Sequence, residues 1–305
     1  MVDLSVRIGN LVLKNPVITA SGTFGYGTEY SELIDVSKLG GIVTKTITPE
    51  PRSGNPMPRI VETYAGMLNS IGLANVGVER FLSEKLPLLK DIDTAVIINI
   101  AGNTVDEYEY VAKKIESHER VDAIEINVSC PNVDRGGLAL GVTPEGVEEV
   151  TDRIRKVTKK TIIVKLTPNV TDITVIAKAA ENAGADAVSL INTLQGMAID
   201  IDSGKPVIAR GTGGLSGPAI KPIALAKVFQ TAQSVNIPVI GLGGIMNWHD
   251  AVEFIMAGAF AVQIGTLNFV DPQKTISVIT GIKNYCEKRG ITRISAICGI
   301  ANVKK

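Results

Sequence analysis

Histidine and cysteine are scarce in this sequence, and their scarcity removes whole classes of chemistry. The two histidines, His118 and His249, lie far apart, each in a helix-like context. They offer neither a histidine metal site nor the base of a serine–histidine pair. The three cysteines, Cys130, Cys286 and Cys298, form no C-x-x-C pair. That spacing argues against a disulfide framework, a zinc site and an iron–sulfur cluster held by this chain. Excess charge is missing too, since 31 Lys+Arg balance 31 Asp+Glu. The balance gives no field to attract nucleic acid or an anionic membrane surface. No apolar run approaches the roughly 18 residues of a membrane span. The start, Met1-Val2-Asp3-Leu4-Ser5, lacks the basic-then-apolar pattern of a signal peptide. A reducing, cytoplasmic location is expected.

What is present is a rhythm. Apolar runs of strand length alternate with stretches of helical periodicity. Ser5–Ile8 and Leu11–Leu13 flank Gly9-Asn10, the signature of a small hairpin. Eight strands follow: Pro16–Ser21, Gly41–Thr46, Ala95–Ile100, a fourth around Ile124–Val128, Thr161–Leu166, Ala187–Asn192, Ile237–Gly244 and Ala261–Thr266. Helical patterns separate them, for example Val78–Leu89 and the stripe Tyr108, Val111, Ala112 and Ile115. Thr143-Pro144-Glu145 reads as a helix start. Eight strands, each followed by a helix, predict an α/β fold of the (β/α)₈ (TIM) barrel type, one domain across residues 1–305. The competing doubly wound sheet would want G-x-G-x-x-G after an early strand, and none is there. Two long inserts interrupt the rhythm. One runs from Ile47 to Asn75 and holds four prolines; the other follows the sixth strand and reaches Gly217. Loops of such length inside a compact domain are usually functional.

The strands end in polar residues. Lys45, Asn99, Asn127, Lys165 and Asn192 each close an apolar run. In a barrel these ends gather at one mouth. Unpaired burial of a lysine or an asparagine costs several kcal/mol, on the order of the penalty for unpaired polar groups. A ring of them implies a polar ligand. Gly243-Gly244 and Gly265-Thr266 end the last two strands. Glycine lets main-chain N–H groups approach an anion, so these pairs predict a phosphate cradle. Two tight βα turns would carry the same glycines. Lys165, if inward, could serve an anionic ring or pair with Glu125 on the neighbouring strand. The fourth strand runs Ile124-Glu125-Ile126-Asn127-Val128-Ser129-Cys130-Pro131-Asn132. Glu125 and Asn127 share one face, and Pro131 stops the strand just beyond Cys130. A free cysteine is often a small buried hydrophobe. At a barrel mouth between two asparagines it is a candidate for chemistry on a planar, polar substrate. Gly66-Met67-Leu68-Asn69-Ser70-Ile71-Gly72-Leu73 reads as a loop that folds over the strand ends.

These segments together resemble the class 1 dihydroorotate dehydrogenases over nearly the whole chain. The motifs are Ala20-Ser21-Gly22, Thr44-Lys45-Thr46, Asn69-Ser70-Ile71-Gly72-Leu73, Asn127-Val128-Ser129-Cys130-Pro131-Asn132, Lys165-Leu166-Thr167-Pro168, Asn192-Thr193, Gly241-Leu242-Gly243-Gly244 and Gly265-Thr266. Cys130 separates the chain from class 2, where serine stands as the base. Gly54-Asn55-Pro56 and the stretch from Glu62-Thr63 to Asn69 look like the NAD-linked subclass 1B.

The resemblance implies oxidation of dihydroorotate to orotate in pyrimidine biosynthesis. It makes Cys130 the catalytic base. It assigns FMN to Ser21, Lys45, Thr46, Asn99, Asn127, Lys165, Ile191, Gly217, Gly243, Gly244, Gly265 and Thr266. It assigns the substrate to Lys45, Asn69, Ser70, Ile71, Gly72, Leu73, Asn127, Asn132, Asn192 and Thr193. It implies no metal on this chain. A partner subunit carrying FAD and a [2Fe–2S] cluster would pass electrons to NAD⁺, around a homodimer core within a heterotetramer. Two alternatives stay open at this point. One is a barrel like dihydropyrimidine dehydrogenase, which shares the Asn-x-Ser-Cys-Pro pattern. The other is a non-redox phosphate-binding barrel.

Overall fold

The structure, a computed structural model, describes residues 2–129 and 140–302. In chain order the hairpin comes first, with β1 (Val6–Ile8) antiparallel to β2 (Leu11–Leu13). β3 (Val17–Thr19) and β4 (Gly41–Val43) follow. The first insert folds into β5 (Ile60–Thr63) and β6 (Gly66–Asn69). Next are α1 (Val78–Arg80), β7 (Ala95–Ile100), α2 (Val105–Glu116), β8 (Ala123–Asn127), α3 (Pro144–Arg155), β9 (Thr161–Lys165), α4 (Ile173–Asn182) and β10 (Ala187–Leu190). The second insert holds β11 (Leu194–Met197), β12 (Ile199–Asp200), β13 (Lys205–Pro206) and β14 (Thr212–Ser216). The chain ends with α5 (Lys221–Ala232), β15 (Val239–Leu242), α6 (Trp248–Met256), β16 (Ala259–Ile264), α7 (Leu267–Val270) and α8 (Pro272–Lys288).

Eight parallel strands close in the order β3-β4-β7-β8-β9-β10-β15-β16, and β16 pairs back onto β3 through Val262 and Val17. The (β/α)₈ barrel is therefore the fold. Its strands read as near-continuous apolar runs because both faces are buried, one by the barrel interior and one by the helices. Ile97, Ile98, Ile124, Ile126, Ile162 and Val164 are fully buried. Helix boundaries follow local chemistry. Thr143 caps α3 by accepting from the Gly146 N–H, and Pro144 occupies the first turn. Asn247 and Asp250 form a reciprocal capping box on α6. Gly184, at φ +91°, takes the left-handed turn that ends α4.

Two expectations need correction. The first strand is not followed by an α-helix. Turns and one 3₁₀ turn (Val36–Lys38) make that crossover, closed over a small separate core of Phe24, Ile34, Val36, Leu39 and Ile42. The stretch Val78–Leu89 is helical but irregular: α1 passes into a π segment (Phe81–Lys85) and then a 3₁₀ turn (Leu86–Leu89), with Pro87 inside. Proline cannot donate the N–H that a regular helix needs there.

The long inserts are not structureless loops. β11, β14, β6 and β5 join in that order into one antiparallel sheet, so the two inserts pair with each other. Asn69 Nδ2 donates to the Gly214 carbonyl at 3.2 Å across this junction. The sheet lies at the C-terminal end of the barrel, where its residues help to line a cavity.

Candidate active site

The cavity has a volume of about 530 Å³. That is the size of a small-molecule site. Its floor is the barrel mouth and its side is the insert sheet. Every expected site residue among the described ones lines it except Asn99. Ser21, Lys45 and Thr46 come from the first two strand ends, Asn127 and Lys165 from β8 and β9, and Ile191, Asn192 and Thr193 from the end of β10. Asn69, Ser70, Ile71, Gly72 and Leu73 arrive from the first insert. Gly217 comes from the end of the second, and Gly243, Gly244, Gly265 and Thr266 follow the last two strands. Cys130 and Asn132 lie outside the described residues.

Asn99 sits in the fully buried layer beside the cavity, where its Nδ2 donates to Glu125 Oε1 at 2.7 Å. The register explains the contact. Asn99 faces Glu125 across β7 and β8, and Asn127 faces Lys165 across β8 and β9. Neighbours in register on parallel strands project to the same face. Lys165 is nearly buried, with Nζ 3.7 Å from Glu125 Oε1 and 3.4 Å from Ser21 Oγ. Lys165 is paired with Glu125, as one of its two expected roles has it, and it also lines the cavity.

Asn127 is held from three sides. Its main-chain carbonyl accepts from the buried Tyr108 hydroxyl at 2.7 Å, and its Oδ1 accepts from Ser129 N–H and Asn192 Nδ2. With Oδ1 so engaged, its amide N–H groups are left for the cavity. Lys45 has no hydrogen-bond or ion-pair partner for its Nζ among the described residues. Burial, and secondarily the positive charge of Arg59, hold its ammonium below the usual lysine range. A partly buried cation without a counter-ion favours an anionic ligand.

Gly243 and Gly244 stand at φ +126° and +76°. A Cβ on Gly243 would lie 2.7 Å from Ala224 Cβ, and one on Gly244 would lie 2.8 Å from the Gly217 carbonyl. Only glycine fits both the backbone and the space. Neither Cys286 nor Cys298 lines the cavity. Burial pushes both thiols up, that of Cys298 to about 11, so neither is a base at neutral pH. Among the described residues no cluster of His, Cys, Asp and Glu could hold a metal, and no helix is long and apolar enough to cross a membrane.

Sequence reasoning missed Gln263. It lies on β16, is 1% exposed, and lines the cavity. Its signal was a lone polar side chain in the apolar run Ala259-Phe260-Ala261-Val262-Gln263-Ile264. Asn169 was missed as well. Its Nδ2 donates to the Thr193 carbonyl and its Oδ1 accepts from Gln195 N–H, which ties the end of β9 to the second insert.

The family model for dihydroorotate dehydrogenase matches residues 3–285. The chain belongs to that family. Members with the same span include the "dihydroorotate dehydrogenase B (NAD(+)), catalytic subunit" of Bacteroides thetaiotaomicron, 56% identical over 303 residues, or 99% of this chain and 100% of that one. The protein of the same name from Thermoanaerobacter sp. (strain X514) is 58% identical over 301 residues, covering 99% of both chains. That of Geotalea daltonii is 52% identical over 301 residues, again 99% of both.

Proposed function

We propose that this chain oxidises dihydroorotate to orotate with an FMN bound in the barrel-mouth cavity. In this reading it works as the catalytic subunit of an NAD⁺-linked enzyme of pyrimidine biosynthesis. The observation that carries the reading is the convergence of widely separated motifs on one cavity in a chain matched by this family over residues 3–285.

The residues present suit FMN. Gly243-Gly244, where a Cβ would meet Ala224 and the Gly217 carbonyl, and Gly265-Thr266 offer a phosphate main-chain N–H groups at close approach. Lys165 offers a buried cation beside Ser21. Asn99 Oδ1 and Gln263 Oε1 are buried acceptors without a partner among the described residues. Each such group costs ~1–3 kcal/mol unless a ligand donor meets it. FMN, when bound, supplies the hydride acceptor for the hydrogen lost from C6 of the substrate.

The protein's own work is then binding and proton transfer. Lys45 neutralises the substrate carboxylate. Asn69, Asn127, Asn132, Asn192 and Thr193 match the alternating N–H and C=O groups of the pyrimidine ring. Ser70, Ile71, Gly72 and Leu73 close over it from the insert. Cys130 takes the proton from C5 as a general base. A free thiol has a pKa near roughly 8.5, so turnover should rise with pH through the titration of Cys130.

With no cluster-type cysteine spacing in the sequence, electrons would leave either through another protein or to a small molecule that meets the flavin directly. We assign the first route to a partner subunit bearing FAD and a [2Fe–2S] cluster, around a homodimer core in a cytoplasmic heterotetramer. The test is anaerobic mixing of the purified yellow protein with dihydroorotate. Rapid bleaching of the flavin is expected. Bleaching only by reduced pyridine nucleotide, with reoxidation by uracil, would replace this reading with a dihydropyrimidine dehydrogenase. A colourless protein that takes up no FMN would replace it with a non-redox phosphate-binding barrel.

A further inference from the structure

Glu125 is fully buried inside the barrel and does not itself line the cavity. Its carboxylate is a junction of five strands. Oε1 accepts from Asn99 Nδ2 of β7 at 2.7 Å, and Lys165 Nζ of β9 stands 3.7 Å away. Oε2 accepts from Ser189 Oγ of β10 at 2.9 Å and from Gln263 Nε2 of β16.

A carboxylate only accepts hydrogen bonds. The two carboxamides that meet it must therefore turn their NH₂ groups inward. That choice leaves Asn99 Oδ1 and Gln263 Oε1 without partners among the described residues, although both are buried. Gln263 and Lys165 both line the cavity. At the floor, Lys165 is thus a cationic donor, and Gln263 has Oε1 as its one polar atom not committed to Glu125.

We propose that Glu125 is a positioning residue. It fixes the hydrogen-bond polarity of the cavity floor so that Gln263 accepts from a ring N–H while Lys165 faces an acceptor on the same ring. The inference rests on the FMN reading and deepens it: the ligand class is a planar heterocycle carrying an imide-type N–H next to carbonyl acceptors. Its charge also sets the environment in which the ring is reduced. A buried negative charge opposes electron uptake nearby, and its loss would leave Lys165 unbalanced.

Glu125→Gln tests this in the FMN-loaded protein. An amide at 125 brings a donor into a junction built from donors, so at least one neighbour must reorient. The flavin midpoint potential should rise above that of wild type, and apoprotein affinity for FMN should fall at least tenfold. An unchanged potential together with unchanged affinity overturns the proposal. Should Glu125→Gln fail to fold, Gln263→Met decides, since it keeps side-chain length and removes the acceptor. FMN affinity, read by fluorescence quenching on titration into apoprotein, should drop at least fivefold, and an unaltered affinity overturns the proposal. Wild-type protein that takes up no FMN defeats both this inference and the reading beneath it. Wild-type protein that is bleached by dihydroorotate, with both variants unaltered, defeats this inference alone.

Discussion

Lys45 carries a burial cost that an anionic ligand would relieve. Its ammonium is held below the ordinary lysine value of 10.5 by burial and by Arg59. Between that lowered pKa and 10.5 the unfolded chain binds more protons than the folded one, so ligand-free stability rises with pH across that window. Below the window the charged lysine destabilises the fold. Lys45→Met should therefore raise the melting temperature of ligand-free protein at neutral pH. It should also weaken orotate binding about tenfold or more, the scale of a lost hydrogen bond to a charged group (~1.5–3 kcal/mol). Melting curves and equilibrium titration check the two halves, and a variant that melts lower and binds as before contradicts the argument. Cys130→Ala should keep FMN and lose turnover by roughly 10²–10⁴-fold, the range for a general base. Wild-type-like turnover in that variant would remove Cys130 from the chemistry. At this scale the sequence was informative because polar residues at the ends of apolar strands have few other reasons to be there. Gln263 escaped because it lies inside a strand, where a single polar residue gives no sign of whether it faces the barrel axis or a helix. Asn99 was visible, but its partner Glu125 depends on a register that only the folded sheet fixes.

Among the elements, the barrel strands and most helices were legible and the insert sheet was not. Parallel strands buried on both faces are conspicuous apolar runs. The insert strands are half exposed and rich in glycine, as in Thr212-Gly213-Gly214-Leu215-Ser216, so they look like turns. Their pairing joins residues 145 positions apart, beyond the reach of local periodicity. The missing first helix has a different cause: the segment after β3 carries no helical stripe, and strand-to-strand rhythm alone suggested one. The sheet makes a specific demand at Gly214. A Cβ there would stand 2.0 Å from Thr193 Oγ1, a residue of the cavity wall. Gly214→Ala should raise the KM for dihydroorotate about tenfold through a displaced Thr193, at a cost of ~1–3 kcal/mol typical of a strained substitution. FMN content should not change, because the glycine cradle lies elsewhere. Steady-state kinetics with flavin quantitation checks this, and an unchanged KM would separate the sheet from substrate binding.

For the whole molecule, a ligand held by segments from nearly every strand end should bind only the folded barrel. Saturating FMN then adds RT ln(1 + [L]/Kd), ~2.7 kcal/mol at a hundredfold excess over Kd. Adding FMN to apoprotein should raise the melting temperature by several degrees and make it depend on FMN concentration. A melting temperature indifferent to FMN would mean that the cavity does not take it.

The five-strand junction at Glu125 also bears on how the family can vary. Asn99, Lys165, Ser189 and Gln263 all converge on the Glu125 carboxylate, so loss of that group leaves four polar side chains in the interior without their shared partner. Single replacements should be far worse than the sum of effects in a combined apolar replacement would suggest. Descent by single steps then has few exits from this arrangement. Across relatives the five positions should be kept or exchanged as a block, and a lineage holding only part of the set should carry a compensating residue within reach of Glu125.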